Sequence, residues 1–255
     1  MRIAVVIPTY KPHLPFVPRL LESINKQTRL PDLVVVHASS CGPEEEATLE
    51  AIRAISLQFQ LILASTERVQ MPAENRNDGV ALVPSDYEIL SFFDSDDLMH
   101  PRRLELLEQC FQDPSIDVVV HSSQKGPLEV EKVEWTPVEE PLRIHRDAAS
   151  LKFEPVYNPY YNKNMEIFRV VFEEEVPPQV NGPCSVRRHC FEKVQCDPNA
   201  HGYEDTLFLA ELYREGFNIV ALDAELFYYS GISEEETRQK GLSIIKNLYL
   251  AGRYN

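Results

Sequence analysis

Long apolar runs are missing from this chain of 255 residues. The run nearest the N-terminus, Ile3-Ala4-Val5-Val6-Ile7, stops at Pro8. It is too short for the apolar centre of a signal peptide and far short of the roughly 20 residues of a membrane-spanning helix. It reads instead as a first β-strand, so the fold is expected to begin where the chain does, with no transmembrane segment. Positive charge is also scarce: 25 Lys and Arg stand against 40 Asp and Glu, a net charge of −15. A chain that acidic repels a phosphate backbone unless basic residues gather on one face, and the sequence shows no such gathering. Nucleic acid and anionic membrane surfaces are therefore poor partners. The cysteines (Cys41, Cys110, Cys184, Cys190, Cys196) are odd in number and form no C-x-x-C pair. That argues against a zinc site or a complete disulfide framework, and for a reducing, cytoplasmic setting. Walker A, G-x-G-x-x-G and G-x-S-x-G motifs are absent, as are internal repeats and low-complexity tracts.

What the chain does have is 44% hydrophobic residues in short, dispersed runs, ample for a sizeable core. Its first half alternates strands and helices. Strands are expected at Ile3–Ile7, Leu33–Val36, Leu61–Ala64, Glu88–Phe93 and Asp117–Val120. Helices are expected at Leu14–Gln27, after Pro43, at Pro72–Leu82 and at Pro101–Phe111. Strands separated by such helices imply right-handed βαβ units and a mostly parallel sheet, with ligands beyond the carboxyl ends of the strands. Three polar junctions fall there: Thr9-Tyr10-Lys11, Ser39-Ser40-Cys41 and Asp94 to Asp97. From about Ser122 to Pro178 the pattern breaks down into short strands and a flap. A helix over Glu204–Arg214, a strand over Asn218–Leu222 and an amphipathic tail over Leu242–Leu250 follow.

Asp94-Ser95-Asp96-Asp97 is the strongest chemical signal. Carboxylates crowded at a strand end repel one another unless a cation neutralises them, and Asp at i and i+2 suits Mg²⁺ or Mn²⁺ completed by substrate phosphates. An EF-hand is excluded, because Met99 occupies the required glycine position and a helix is expected at once. The plainer alternative makes Asp97 a cap for the helix near Pro101 and leaves the other two solvated. The apolar strand leading straight into the acids favours the metal. In His201-Gly202-Tyr203-Glu204-Asp205, paired acids at a helix start serve either as dipole and capping residues or as a general base, and the residues alone favour capping. Arg76, in Glu74-Asn75-Arg76-Asn77-Asp78-Gly79, either grips a phosphate or is a surface Arg beside a local acid, and in isolation the surface reading comes first. His37 and His121, at strand ends, read as packing or rim residues.

Taken in order, these pieces resemble the family-2 glycosyltransferases of the GT-A fold. Val5-Val6-Ile7-Pro8-Thr9-Tyr10-Lys11 looks like that family's opening strand and nucleotide-contacting turn. Arg76-Asn77-Asp78-Gly79 resembles its ARN-x-G segment, and Phe93-Asp94-Ser95-Asp96-Asp97 with Pro101 resembles its D-x-D region. Gly202-Tyr203-Glu204-Asp205, with Phe208 and Arg214-Glu215-Gly216-Phe217, is similar to its ED helix. The resemblance covers nearly the whole chain and implies a single α/β domain over 1–255, with a nucleotide-sugar half at 1–121 and a flap, acceptor and catalytic-base half at 122–255.

The implied activity is inverting transfer from a nucleotide-diphosphate sugar to a glycan or other hydroxyl acceptor. A UDP-sugar is the first expectation, with dTDP- and GDP-sugars open. By the same resemblance, Pro8, Thr9, Tyr10, Ser39, Arg76, Asp94 and Ser95 bind the nucleotide sugar. Asp96 and Asp94 hold Mn²⁺ or Mg²⁺, which offsets charge on the leaving diphosphate. Asp205 is the general base and Glu204 orients its surroundings. Tyr157, Tyr160, Tyr161 and Asn181 meet the acceptor. Two departures stand out. The family's acid after the second strand is missing from His37-Ala38-Ser39-Ser40-Cys41, which leaves the base open. Tyr228-Tyr229-Ser230-Gly231-Ile232-Ser233 stands where many members carry a His, implying a metal that leans on the donor phosphates. Two rivals remain: a nucleotidyltransferase, which needs a Gly-rich basic turn that Pro8 to Pro12 does not supply, and a non-catalytic nucleotide-sugar-binding protein on the same scaffold.

Overall fold

Successive side chains of a strand point to opposite faces, and β1 (Ile3–Tyr10) buries both. Ile3, Val5 and Ile7 join one hydrophobic cluster, and Ala4 and Val6 join a second on the other side. Such a strand needs cover above and below, which is the layered arrangement of a parallel sheet. The structure, a computed structural model, describes residues 1–127, 132–145, 151–156, 167–172, 180–200 and 204–231.

The remaining elements, in chain order, are α1 (Val17–Asn25), β2 (Leu33–Ser39), α2 (Glu46–Arg53), β3 (Gln60–Ser65), α3 (Pro72–Ala81), β4 (Ile89–Phe92), β5 (Leu98–Met99), α4 (Arg103–Phe111), β6 (Val118–Pro127), β7 (Ile144–His145), β8 (Leu151–Val156), β9 (Ile167–Phe172), β10 (Val180–Arg187), α5 (Arg188–Lys193), α6 (Glu204–Arg214) and β11 (Ile219–Gly231). The main sheet runs β3-β2-β1-β4-β10-β6-β11-β5, with β7 also on β11. β3, β2, β1 and β4 pair in parallel, as do β6 and β11, whereas β10 is antiparallel to both β4 and β6. β8 and β9 form a separate antiparallel pair. The first cluster packs the sheet against α1, α2 and α4, and the second against α3, α5 and α6. The result is the expected α/β architecture, a mostly parallel central sheet flanked by helices.

Several boundaries depart from the sequence reading. Residues Lys11–Phe16 form a 3₁₀ helix, and α1 starts only at Val17. Pro15 cannot donate into an α-helical ladder, so the tighter winding takes that stretch. No helix follows the acids at once: Leu98 and Met99 are buried and pair with Tyr228 and Phe227 of β11 before α4 begins. β6 runs on to Pro127 and β11 to Gly231, well past the expected ends, because the two continue to pair beyond Leu222. α6 closes as expected at Gly216, whose φ of 81° suits glycine. Gly216 N–H donates to the Tyr213 carbonyl and Phe217 N–H to that of Leu212, the paired bonds of a Schellman ending. Gly79 lets α3 lie close on the sheet, since a Cβ there would meet Val6 Cγ1 at 2.9 Å. Among the described residues no helix is long and apolar enough to cross a membrane. The five cysteines are buried and unpaired with one another.

Candidate active site

Beyond the carboxyl ends of β1, β2, β3 and β4 lies a cavity of about 590 Å³, within the size range of small-molecule sites. The side at the ends of β1 to β3 is largely apolar, with Pro8, Pro12, Ser40, Val69, Gln70, Met71 and Pro72 in its wall and Lys11 as its charged group. The other end is acidic, with Asp94, Asp96 and Glu204 beside His13 and Tyr229. A ligand with an uncharged ring system at one end and a cation-bridged anionic group at the other matches this polarity.

A hydrogen-bonded frame stiffens the apolar end. Asn75, on α3, donates through Nδ2 to the Thr9 carbonyl and to Ser39 Oγ. Its Oδ1 therefore accepts from His37 Nδ1. The Ser39 hydroxyl is completely buried and reaches back to the Thr9 carbonyl. Ser39, expected at the nucleotide, thus holds strand ends together, and its neighbour Ser40 lines the cavity. Ser40 carries a φ of 59°, an uncommon conformation for a residue with a Cβ and one that clusters at functional sites. Two buried polar atoms in this wall have no partner among the described residues: Thr9 Oγ1 and Gln70 Oε1. The amide of Gln70 is oriented by Asp78, to which its Nε2 donates, so its carbonyl oxygen is the atom left over.

At the acidic end Arg76 is buried rather than a surface residue, with 4% of its area exposed. Its guanidinium donates to Asp94 Oδ1 at 2.8 Å and to the Glu204 carboxylate. Burial alone would lower its pKa, yet the charges of Glu204 and Asp94 hold it well above the ordinary value. This one side chain joins α3, the loop after β4 and the start of α6. Asp97 does not cap a helix. It is 2% exposed and its Oδ1 accepts the Ser230 N–H at 3.0 Å. Arg19 adds a second tie, donating to the Asp96 carbonyl at 2.7 Å and to Ser230 Oγ at 3.1 Å. The acidic loop is thereby fastened to the end of β11.

Burial raises the pKa of Asp96, with Asp94 adding to the effect while His13 and Arg19 oppose it. Asp97 is pushed well above its ordinary value by burial and by both neighbouring aspartates. The Tyr10 phenol is raised by burial and Asp96, and that of Tyr229 by burial and the aspartates. Burial is the first cause of each shift and the clustered aspartates add to it, and the carboxylates of Asp94 and Asp96 in the cavity wall are hard oxygen donors. The residues therefore fit a divalent ion such as Mn²⁺ or Mg²⁺. A tighter trio of ligand-type groups lies elsewhere: Asp117, His189 and Cys190, with ligand atoms within 4.8 Å of one another. It sits at the amino end of β6, remote from the cavity edge of the sheet. There Asp117 pairs with His189 at 3.2 Å and accepts the Asn218 N–H, and burial pushes the Cys190 thiol up to about 12.

The cavity brings together Pro8, Thr9, Tyr10, Arg76, Asp94, Ser95, Asp96 and Glu204 among the residues read from sequence. Asp205 stands one residue further along α6, half-buried and outside the lining, with its charge acting on Arg76 and Tyr229. Asn181 lies in β10, its side chain outside the described residues, as are Tyr157, Tyr160, Tyr161 and the tail over Leu242–Leu250. His121 is interior, accepting from Arg103 Nε at 2.9 Å. Lining residues that sequence reasoning passed over include His13, Gln70, Met71, Asn75 and Tyr229. Only the Gln70-Met71-Pro72 lead into α3 carried a local signal, as the turn that opens a helix at a strand end.

The family profile described as "Glycosyl transferase family 2" matches residues 4–172. No curated protein sequence matches the chain significantly. Among solved structures, S. aureus TarS 1-349 in complex with UDP-GlcNAc is similar at 17% identity and a TM-score of 0.61, over 91% of this chain and 59% of that one. S. aureus TarS 1-349 in complex with UDP is similar at 18% identity and a TM-score of 0.60, over 96% and 64%. The mannosyltransferase PcManGT from Pyrobaculum calidifontis, in complex with GDP-Man and Mn²⁺, is similar at 17% identity and a TM-score of 0.60, over 91% and 58%. At these identities the likeness shows the GT-A fold, and the chain spans about 60% of the length of these relatives.

Proposed function

Because the chain belongs to glycosyl transferase family 2, we propose that it transfers a sugar from a nucleotide-diphosphate donor to an acceptor hydroxyl, with inversion at the anomeric carbon. The observation that carries this reading is the cavity itself, largely apolar at the ends of β1–β3 and rich in carboxylates at the end of β4. The nucleobase occupies the largely apolar end, against Pro8, Ser40, Val69, Gln70 and Met71. A UDP-sugar is the favoured donor. The diphosphate lies toward Asp94 and Asp96, where a bound Mn²⁺ or Mg²⁺ supplies charge neutralisation for the leaving group. Complexes of similar folds with UDP-GlcNAc and with GDP-Man and Mn²⁺ support this placement.

In the transfer, the acceptor oxygen forms a bond to the anomeric carbon as the bond from that carbon to the diphosphate oxygen breaks. The electron pair leaves with the nucleoside diphosphate, and the hydroxyl proton passes to Asp205. Glu204 is unsuited to that proton, since accepting it would dismantle the buried pair with Arg76. Asp205 is the next residue of the same helix start, with its charge acting on Arg76, and general bases of this kind contribute typically 10²–10⁴-fold. Arg76 acts indirectly, fixing Asp94 and Glu204 relative to each other.

Calorimetry with Mn²⁺ and UDP-, dTDP- and GDP-sugars, paired with turnover assays, tests these roles. Asp96→Ala is expected to abolish metal-dependent donor binding. Asp205→Asn is expected to leave binding intact and lower turnover at least about 100-fold. Unchanged affinity in the first, or unchanged turnover in the second, removes the corresponding role. Donor binding by the native chain without any turnover favours a binding protein over an enzyme.

A further inference from the structure

His13 belongs to the 3₁₀ turn Lys11–Phe16 that follows β1. With three residues per turn, such a helix stacks positions i and i+3 on one side. Tyr10, His13 and Phe16 accordingly form an aromatic ladder, with ring centroids 4.5 Å apart at the first step and 5.7 Å at the second. The ladder holds the imidazole in the cavity wall, where its Nδ1 stands 3.7 Å from Asp96 Oδ2.

That separation is informative. At 3.7 Å the two atoms are too far apart for a hydrogen bond between them. Two ligands at right angles on an ion such as Mn²⁺ or Mg²⁺, each at 2.0–2.2 Å, stand roughly 3 Å apart. The nitrogen and the oxygen, both on residues of the cavity wall, thus stand about 0.7 Å further apart than a shared ion requires, a difference that side-chain torsions can take up. From β11, Tyr229 lines the same end of the cavity, and its neighbour Ser230 is bonded to Asp97 and Arg19.

We propose that His13 is a nitrogen ligand of the divalent cation at Asp96, so that the site is a mixed imidazole–carboxylate centre rather than one of oxygen atoms alone. This rests on the placement of the cation at Asp96 proposed above. The remaining positions are left to donor phosphates and water. An imidazole nitrogen is a softer donor than a carboxylate oxygen and discriminates against Mg²⁺, which takes oxygen ligands, more than against the first-row transition ions, of which Mn²⁺ is the weakest binder. The donor set therefore selects for Mn²⁺ over Mg²⁺, and His13→Gln, which offers an oxygen instead, narrows that selectivity.

The test is pulsed electron paramagnetic resonance on the full chain with Mn²⁺ and UDP, repeated with dTDP and GDP. Nitrogen-14 modulation from a coordinated imidazole is expected in the native protein and is lost in His13→Gln, with Mn²⁺ affinity falling about tenfold or more and Mg²⁺ affinity changing less. Bound Mn²⁺ without nitrogen modulation overturns the assignment of His13 while leaving the metal at Asp96 in place. Modulation that survives in His13→Gln and vanishes in His201→Gln overturns it as well. Failure of Mn²⁺ to bind with any of the three nucleotides overturns the placement of the cation itself, and the role of His13 with it. If His13→Gln does not fold, selective nitrogen-15 labelling of histidine in the native chain decides instead: nitrogen-14 modulation that persists unchanged excludes a histidine ligand and overturns the assignment of His13.

Discussion

Replacing Arg76 with Met keeps a long unbranched side chain in the space between α3 and α6 and removes only the guanidinium. Two carboxylates then lose their cation, and they do not suffer equally. The Glu204 side chain is 8% exposed and cannot be rehydrated where it stands, whereas the Asp94 side chain is 34% exposed and water takes over part of its solvation. Breaking a buried ion pair from one side costs about 3–5 kcal/mol, and most of that falls on Glu204. Glu204→Gln is milder, at about 1–3 kcal/mol, because Arg76 retains Asp94 and an amide oxygen still accepts. Once Arg76 is gone, however, an uncharged amide in place of the Glu204 carboxylate is an improvement over a stranded charge. The double variant should therefore be more stable than the sum of single losses predicts, by about 1.5–3 kcal/mol. Urea unfolding of the four proteins of this cycle, followed by far-ultraviolet circular dichroism at constant pH and salt, measures the coupling. Strict additivity, or a loss below about 1 kcal/mol for Arg76→Met, would refute the claim that this ion pair fastens the ED helix to the D-x-D loop.

Gly79→Ala sets two effects against each other. Helix propensity favours Ala by about 1 kcal/mol, while the contact with Val6 Cγ1 at 2.9 Å demands a shift of α3 costing about 1–3 kcal/mol. A lower unfolding midpoint is expected, and a higher one contradicts the close packing of α3 on β1. Acid should weaken the fold through His121, whose imidazole is held well below its ordinary value by burial and by Arg103. The folded protein keeps it neutral while the unfolded chain takes up a proton below about pH 6.5, so stability falls with pH in that window by up to about 1.4 kcal/mol per unit. Asp97 has the opposite sign, because its raised pKa lets the folded state bind a proton first. Melting temperatures from pH 8 to 5 should decline less steeply for His121→Gln than for the native chain, and parallel slopes would exclude this role.

The strands and helices of the first half were legible because hydrophobic periodicity is local information. The parallel run β3-β2-β1-β4 follows from it, as does the gathering of Thr9, Ser40 and Asp94 to Asp97 at one edge of the sheet. The insertion of β10 between β4 and β6 was not legible, since pairing across more than 60 residues leaves no mark on either segment. Arg76 looked like a surface residue because its main partner, Glu204, is 128 positions away. No local pattern marks that Ser39 is buried in the strand-end frame while Ser40, with its positive φ, lines the cavity. Arg103, completely buried with Ser91, His121 and the Pro183 carbonyl as partners, gave no sign of itself within a helix that reads as amphipathic. His13 reached the site only because Pro12 and Pro15 enforce 3₁₀ winding, a geometry that a helix-period reading passes over.

Metal-dependent donor recognition is the centre of this account. Binding and hydrolysis of UDP-, dTDP- and GDP-sugars by the native chain, each with and without Mn²⁺, test it most directly. The predicted result is a clear preference for one nucleotide, the UDP-sugar first, that appears only when Mn²⁺ is present. A folded protein that binds and cleaves none of them, with or without the ion, would contradict it.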